Sequence, residues 1–536
     1  MNTRNSVKHG SLAKSRNTTI LLFLLGLLSL PVIGYLVFTT DKILVLAGVC
    51  GIILVAVSIT KPEPATMFVA FVLYTNMAAV AKLVYGASDI VAGAFSMLLC
   101  LPLANYLLFR REKLIIDYVW LLMLAFLGIS VASAIIMAQD TERALMWAVE
   151  FAIEGVVLYF LFLNVIRNLS VLKKVVSTLI FAGALMGSLS LYQEIFNAYS
   201  QTFGGLAQRS KDVEFEDEFY GDVYGQGKFF KTREGMRGAN RSGGPIGKAN
   251  RYAQIMLALM PLALFRFWGE RNTLIKLFAG FATVFILSGF FLTYSRGGFV
   301  TLILMIGLLL FFRYVKVQQL LISLVVIVVL MAVAAPGYFN RIETIKGVEG
   351  LFSKSAEVRP DGTTRGRLTE MLAALMCFMD HPILGVGPGQ YTPFYSIKYQ
   401  SDPDIAFRFL DHQRRSHILY FEMAAETGFL GIGTFLAMVT VTMVRLWKLR
   451  RQAVGVRPDI ANLATSLWFA LVAYLGTAVF LHLSYQRYYW FLLALAGAAV
   501  QIFKHELQKE QQVDVQVVQE NGSQRHELKS AMLKAG

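Results

Sequence analysis

Arg296 stands in the stretch Thr293-Tyr294-Ser295-Arg296-Gly297-Gly298, between two apolar runs with almost no loop separating them. A charge in that position is costly unless it reaches water or a counter-ion, so Arg296 is a candidate anion contact. The glycines permit a tight turn and close approach of a ligand to backbone. A snorkelling arginine at a helix end is the plainer alternative. A second stretch, Thr364-Arg365-Gly366-Arg367-Leu368-Thr369-Glu370, runs into apolar periodicity through Met379. A helix beginning near Arg367 would bring free amides and a positive dipole end to its guanidinium, a seat for phosphate. The bland reading is a surface arginine on a loop helix. A third stretch, Arg414-Arg415-Ser416-His417-Ile418-Leu419-Tyr420, leads into an apolar run containing Glu422 and Glu426. At a water–membrane boundary an imidazole can stay neutral and accept a proton near neutral pH. A lone interfacial histidine is more often structural. Glu426 falls about two and a half turns deeper than His417 and is not expected to touch it. Glu422 and Glu426, at i and i+4, are expected to pair with an arginine from another span.

Between Arg237 and Tyr252, four basic residues alternate with glycines beside an apolar run. Arg241 and Lys248 there suit an anionic lipid head group, with an ordinary basic loop as the equal alternative. Arg365, Arg414 and Arg415 join them as candidate substrate contacts. The glycines at 385, 387 and 389 resemble a nucleotide loop superficially. They lack a Lys-Ser/Thr partner and a strand-and-helix context, so ATP binding is rejected. The segment is expected to pack its loop on the membrane domain. Cys50, Cys100 and Cys377 show no disulfide or zinc spacing.

The elements that must position these residues are membrane helices. Of the 536 residues 56% are hydrophobic and 16% charged, against about 25% charged in a soluble chain. Mean hydropathy is +0.55. Apolar runs of about twenty residues recur, long enough to cross a bilayer, where only helices satisfy their own backbone. Fourteen spans are expected near 19–38, 42–60, 65–84, 89–109, 114–137, 145–166, 172–195, 251–268, 273–293, 298–312, 317–335, 417–444, 461–482 and 487–503. The formal charge of +15 reads as positive-inside bias and not as a nucleic-acid surface. Basic residues gather in alternate loops, around 110–113, 167–174, 266–276, 313–316 and 445–457, while the opposing short loops are poor in them. That alternation predicts both termini in the cytoplasm. The first apolar run continues to Phe38 without a small-residue cleavage site, so it reads as a span and not a signal peptide.

The chain divides into a cytoplasmic N-terminus (1–18), an N-terminal bundle (19–195), a first long loop (196–250) and central helices (251–335). A large loop (336–416), C-terminal helices (417–503) and a polar tail (504–536) follow. Both long loops fall on the outer side, the second expected to be partly helical, and the tail reads as a polar extension. No internal repeat is visible, which weighs against a transporter built from duplicated halves.

From about Arg241 to Gly431 the chain resembles the O-antigen ligase/polymerase superfamily. The resemblance is carried in order by the Ser295-Arg296-Gly297 turn, Arg367 heading a loop helix, the Pro382-Ile383-Leu384-Gly385-Val386-Gly387-Pro388-Gly389 segment, and Ser416-His417 followed by Glu426-Thr427-Gly428-Phe429-Leu430-Gly431. Ile418 departs from the asparagine that many members carry after the histidine. The resemblance implies an all-α, GT-C-like polytopic enzyme of the bacterial inner membrane with its site facing the periplasm. It implies an inverting, metal-independent glycosyl transfer without a cofactor. A glycan would move from an undecaprenyl-diphosphate carrier to a hydroxyl on a lipid or a growing saccharide. By motif position, Arg296 and Arg367 would hold the donor diphosphate, and His417 would act as general base or orient the acceptor hydroxyl. Transfer to protein hydroxyls is a further activity of the family. A flippase for lipid-linked saccharide is the competing class.

Overall fold

The computed structural model describes residues 61–85, 96–210, 241–316, 318, 362–405, 407, 413–483 and 486–535. The helices are α1 (Pro62–Tyr74), α2 (Met77–Tyr85), α3 (Cys100–Phe109), α4 (Tyr118–Ile136), α5 (Thr141–Val165), α6 (Leu169–Ile195), α7 (Ala249–Gly269), α8 (Thr273–Phe291), α9 (Arg296–Phe311), α10 (Gly362–Asp380), α11 (Ser396–Gln400), α12 (Leu419–Ala453), α13 (Pro458–Thr477) and α14 (Arg487–Ala535). Among the described residues seven of them, α4 to α8, α12 and α13, are long and apolar enough to cross a membrane. The chain is a mostly helical, multi-pass membrane protein. The expected spans at 19–38 and 42–60, all of 317–335 but residue 318, and the first part of 89–109 lie outside the described residues.

Local sequence sets the ends of these helices. Asp117, Asp140, Asn168, Asn272 and Ser295 each accept an amide hydrogen from the first turn they precede, relieving donors that lipid would leave unsatisfied. The expected span 65–84 is instead two helices, broken at Thr75-Asn76, where Asn76 has φ +57°. Its buried amide donates to the Pro245 carbonyl and its oxygen accepts from Arg487. Those tertiary bonds compensate the interrupted ladder. The apolar run near 298–312 is the 16-residue α9. The polar tail is helical as far as Ala535, in keeping with its Glu, Gln and Lys content.

Close packing follows small residues. A Cβ at Gly187 of α6 would strike the Phe285 carbonyl of α8, and one at Gly289 would meet Gly187 in return, the pattern by which membrane helices approach closely. Phe151, Phe435, Tyr489 and Trp490 form an aromatic knot joining α5, α12 and α14.

Among the described residues one feature departs from all-α. Gln208–Ser210 and Arg241–Gly244 pair as a two-stranded antiparallel ribbon within the first long loop. Ser242 donates its amide to Leu292 at the end of α8, and its hydroxyl bonds Ser190. All four residues of the second strand are buried, so extended backbone pairing serves donors that small side chains cannot shield.

Loops expected on one face touch one another. Lys173 pairs with Asp459 at 2.9 Å, and Arg450 bonds the Tyr314 hydroxyl at 2.6 Å. At the other end, the Asp140 amide bonds the Gln390 side chain at 3.0 Å, and the Leu419 amide bonds the Ala478 carbonyl at 3.0 Å.

Candidate functional site

Glu422, in the first turn of α12, folds the preceding loop back on itself. Arg415 Nε donates to Glu422 Oε1 at 2.8 Å, and the Ser416 amide donates to Oε2 at 3.1 Å. Glu422 therefore pairs with an arginine seven residues earlier on its own loop, not with one from another span as the sequence suggested. The reversal leaves His417 at φ +55°, a left-handed conformation that costs a non-glycine residue on the order of 1 kcal/mol or more. Such strain persists where the surroundings over-determine it, commonly at functional positions.

Glu370 of α10 meets this loop from above. Its Oε2 lies 3.0 Å from His417 Nδ1, and its Oε1 accepts from Arg414 Nη1 at 3.2 Å. The Arg415 carbonyl lies 3.1 Å from the same imidazole nitrogen. With the Arg415 carbonyl as acceptor the ring hydrogen belongs on Nδ1, which puts the lone pair of the neutral ring on Nε2. Glu370 is 1% exposed. Burial pushes its carboxyl up, but the His417, Arg414 and Arg367 charges outweigh it and hold it below the ordinary carboxylate range.

Arg367 lies one turn before Glu370 on the same helix and within electrostatic reach of it. The helix is already formed at Gly362, so Arg367 sits in its second turn and not at the expected N-terminus. The dipole-end phosphate seat is displaced from it accordingly. Arg365, also half-buried, lies on the same helix.

The glycine-rich segment after α10 fixes that helix to the bundle. Gly428, at φ +64° and ψ −167°, breaks α12. Across the break Val386 donates to Ala425 O at 2.9 Å, Gly387 to Glu426 O at 3.0 Å and Phe429 to Pro382 O at 2.7 Å. Ser133 of α4 closes the seam through the Leu384 carbonyl at 2.6 Å. A Cβ at Gly385 or Gly428 would collide with the opposing backbone. The segment is thus the packing turn that its sequence predicted.

Arg296 opens α9, with Ser295 as the cap and Tyr294 at φ +51°. Arg241 secures this turn, donating from Nε to Thr293 O at 2.8 Å and from Nη2 to Asn250 Oδ1 at 2.7 Å. The loop after α13 links the turn to His417. Phe480 packs on Gly297, Ala478 O holds the Leu419 amide, and the His482 ring meets His417 edge-to-face at 5.8 Å between centroids.

The structure therefore gathers His417, Arg367, Arg414 and Arg415 around Glu370 and Glu422, with Arg296 joined to them through residues 478–482. Arg414 and Arg415 are buried in carboxylate pairs, and Arg241 is buried against the Thr293 turn. Each braces a neighbouring segment through these contacts. Lys248 is half-buried at the start of α7, just beyond the ribbon.

Two residues of the cluster were not singled out from sequence. Glu370 follows Arg367 by three positions, which puts both on one helix face; that spacing was the available signal. His482 is the last residue of the expected span 461–482. Its position at the same boundary as His417 follows only from the threading of α12 and α13.

Residues 281–436 match the family model described as O-Antigen ligase. The matched region contains Arg296, Arg367, Glu370, His417 and Gly428; Arg241, Lys248 and His482 lie outside it. No curated protein matches the chain.

Proposed function

Residues 281–436 are an O-antigen ligase domain, which places the chain in the O-antigen ligase/polymerase superfamily, and from that premise we propose that it transfers a glycan from a lipid diphosphate to an acceptor hydroxyl. The observation that carries this reading is the state of His417. Its Nδ1 lies 3.1 Å from the Arg415 carbonyl and 3.0 Å from Glu370 Oε2, and with the hydrogen on Nδ1 the neutral ring carries on Nε2 the lone pair that serves as base in this reading. The donor is an undecaprenyl-diphosphate-linked saccharide, and the site faces the periplasm of the inner membrane.

In the reaction, the acceptor oxygen attacks the anomeric carbon while the bond to the diphosphate oxygen breaks. His417 Nε2 takes the hydroxyl proton, and the leaving diphosphate keeps the bonding electron pair. A sugar hydroxyl is a weak nucleophile, so a positioned base contributes about 10²- to 10⁴-fold. Arg296 and Arg367 neutralise the negative charge developing on the diphosphate, and the anomeric centre inverts because attack comes opposite the leaving group. These side chains supply the charge stabilisation without a metal ion. Glu370 keeps the tautomer and favours the imidazolium once formed.

Incubating the purified protein with an undecaprenyl-diphosphate-linked oligosaccharide and candidate acceptors tests this. A ladder of products identifies a polymerase, one shifted lipid band a ligase, and a glycosylated polypeptide a protein-directed transferase. Failure to release lipid diphosphate with any acceptor would overturn the enzyme reading and favour a transporter.

A further inference from the structure

Beside His417 stands a second histidine that the reaction above does not use. His482 lies in the connection between α13 and α14, is 3% exposed, and turns its ring edge-to-face on His417 at 5.8 Å. The same connection receives the Leu419 amide at Ala478 and packs Phe480 on Gly297 beside Arg296. His482 thus occupies the piece of chain that joins the two halves of the site, and it also lies within electrostatic reach of Glu422.

The charged and titratable groups linked to the two rings include Arg367 and Glu370 from α10, Arg414 and Arg415 from the loop, and Glu422 and Glu426 from α12. Glu370 and Glu422 each already face a positive charge, on Arg414 and Arg415 respectively. Protonating both rings would add two more in a buried volume, where like charges repel strongly. A proton on one ring therefore disfavours a proton on the other.

We propose that His482 is a positioning residue for His417, packing against its ring and sharing a single proton with it, so that His417 is held neutral with its lone pair on Nε2. Edge-to-face contact fixes the plane of the base, and competition for the proton keeps a fraction of the charge off it. This rests on the reading of His417 as the base, and it adds a residue outside the matched domain to the site.

Diethylpyrocarbonate acylates unprotonated imidazole, so its pH-dependent reaction at His417, read by mass spectrometry on the purified full chain, reports that ring's protonation without any glycan substrate. His482→Phe keeps a ring in place but cannot titrate; His482→Gln keeps polarity without a ring. Both variants are expected to raise the His417 midpoint by about one pH unit, the effect of removing a nearby like charge. In the transfer assay the acid limb of the pH–rate profile should rise by the same amount. An unchanged midpoint in His482→Phe overturns the proposal, whether or not His482→Gln moves, because ring packing alone would then account for His482. Absence of transfer by the unaltered chain, with the midpoint shift present, would instead remove the base assignment and leave the coupling between the rings standing.

Discussion

Glu370 and His417 are joined across 3.0 Å, binding a helix of the large loop to the residue at the mouth of α12. The contact sets a carboxylate charge beside the boundary histidine, and the Arg415 carbonyl favours the ring hydrogen on the same nitrogen. Glu370→Gln keeps the size of the side chain and removes its charge. Transfer is expected to fall on the order of 10²-fold, because the tautomer and the imidazolium both lose support. Rates measured on membranes with matched protein levels check this; a rate within twofold of the unaltered chain would dismiss the orienting role.

The same carboxyl makes stability depend on pH. Its folded value lies below the ordinary 4.5, so its contribution is complete above that value and is lost as pH falls from about 4.5 toward the lower folded value. The melting temperature of the unaltered chain should exceed that of Glu370→Gln at pH 6, and the gap should narrow below pH 4.5. A gap that widens on acidification would contradict the sign.

Arg296→Ala, Arg367→Ala and His417→Ala should each abolish transfer, with losses of about 10²-fold or more, while the proteins still insert in the membrane. His417→Ala also relieves the φ +55° backbone only slightly, since alanine too avoids that region. Transfer at a normal rate by His417→Ala would remove the base from the mechanism.

How far the site could be read in advance follows from what each signal depends on. Arg296, Arg367 and His417 are visible because a charge beside an apolar run is conspicuous. Their partners are not, because pairing depends on threading. Glu422 was expected to reach another span, yet it closes on Arg415 in its own loop. Arg241 reads as a head-group ligand from its glycine-rich surroundings, and only the ribbon shows it seated on the Thr293 carbonyl. Seven of the fourteen expected spans were legible from hydropathy as helices long and apolar enough to cross a membrane. The break at Asn76 was not, because a tertiary bond to Pro245 stabilises it and leaves no local mark.

The seam between the glycine-rich segment and the break in α12 is predicted to govern folding and not chemistry. Gly428→Ala places a methyl group against the Ile383 carbonyl at a positive φ, combining a backbone penalty of about 1–3 kcal/mol with a clash. Thermal unfolding in detergent should show a lower transition, and whatever protein remains folded should keep its pH–rate profile. Unaltered melting by Gly428→Ala would mean that the helix does not break there.

Sidedness is open to direct labelling. Cys377 is buried, and burial together with the carboxylates around it pushes its thiol up to about 12, so it should not react with a maleimide. With Cys50 and Cys100 replaced by serine, single cysteines at the exposed positions Gln201 and Ser401 report the two long loops, and one at Gln452 reports the basic connection after α12. A membrane-impermeant maleimide added to cells with a permeabilised outer membrane should label the first two and spare the third. Disrupting the inner membrane should then expose Gln452→Cys. Because Ser401 shares its loop with Gln400, which holds the Arg414 carbonyl next to the His417 turn, its label also locates the site. Labelling of Ser401→Cys only after inner-membrane disruption would put His417 on the cytoplasmic side and invert the proposed topology.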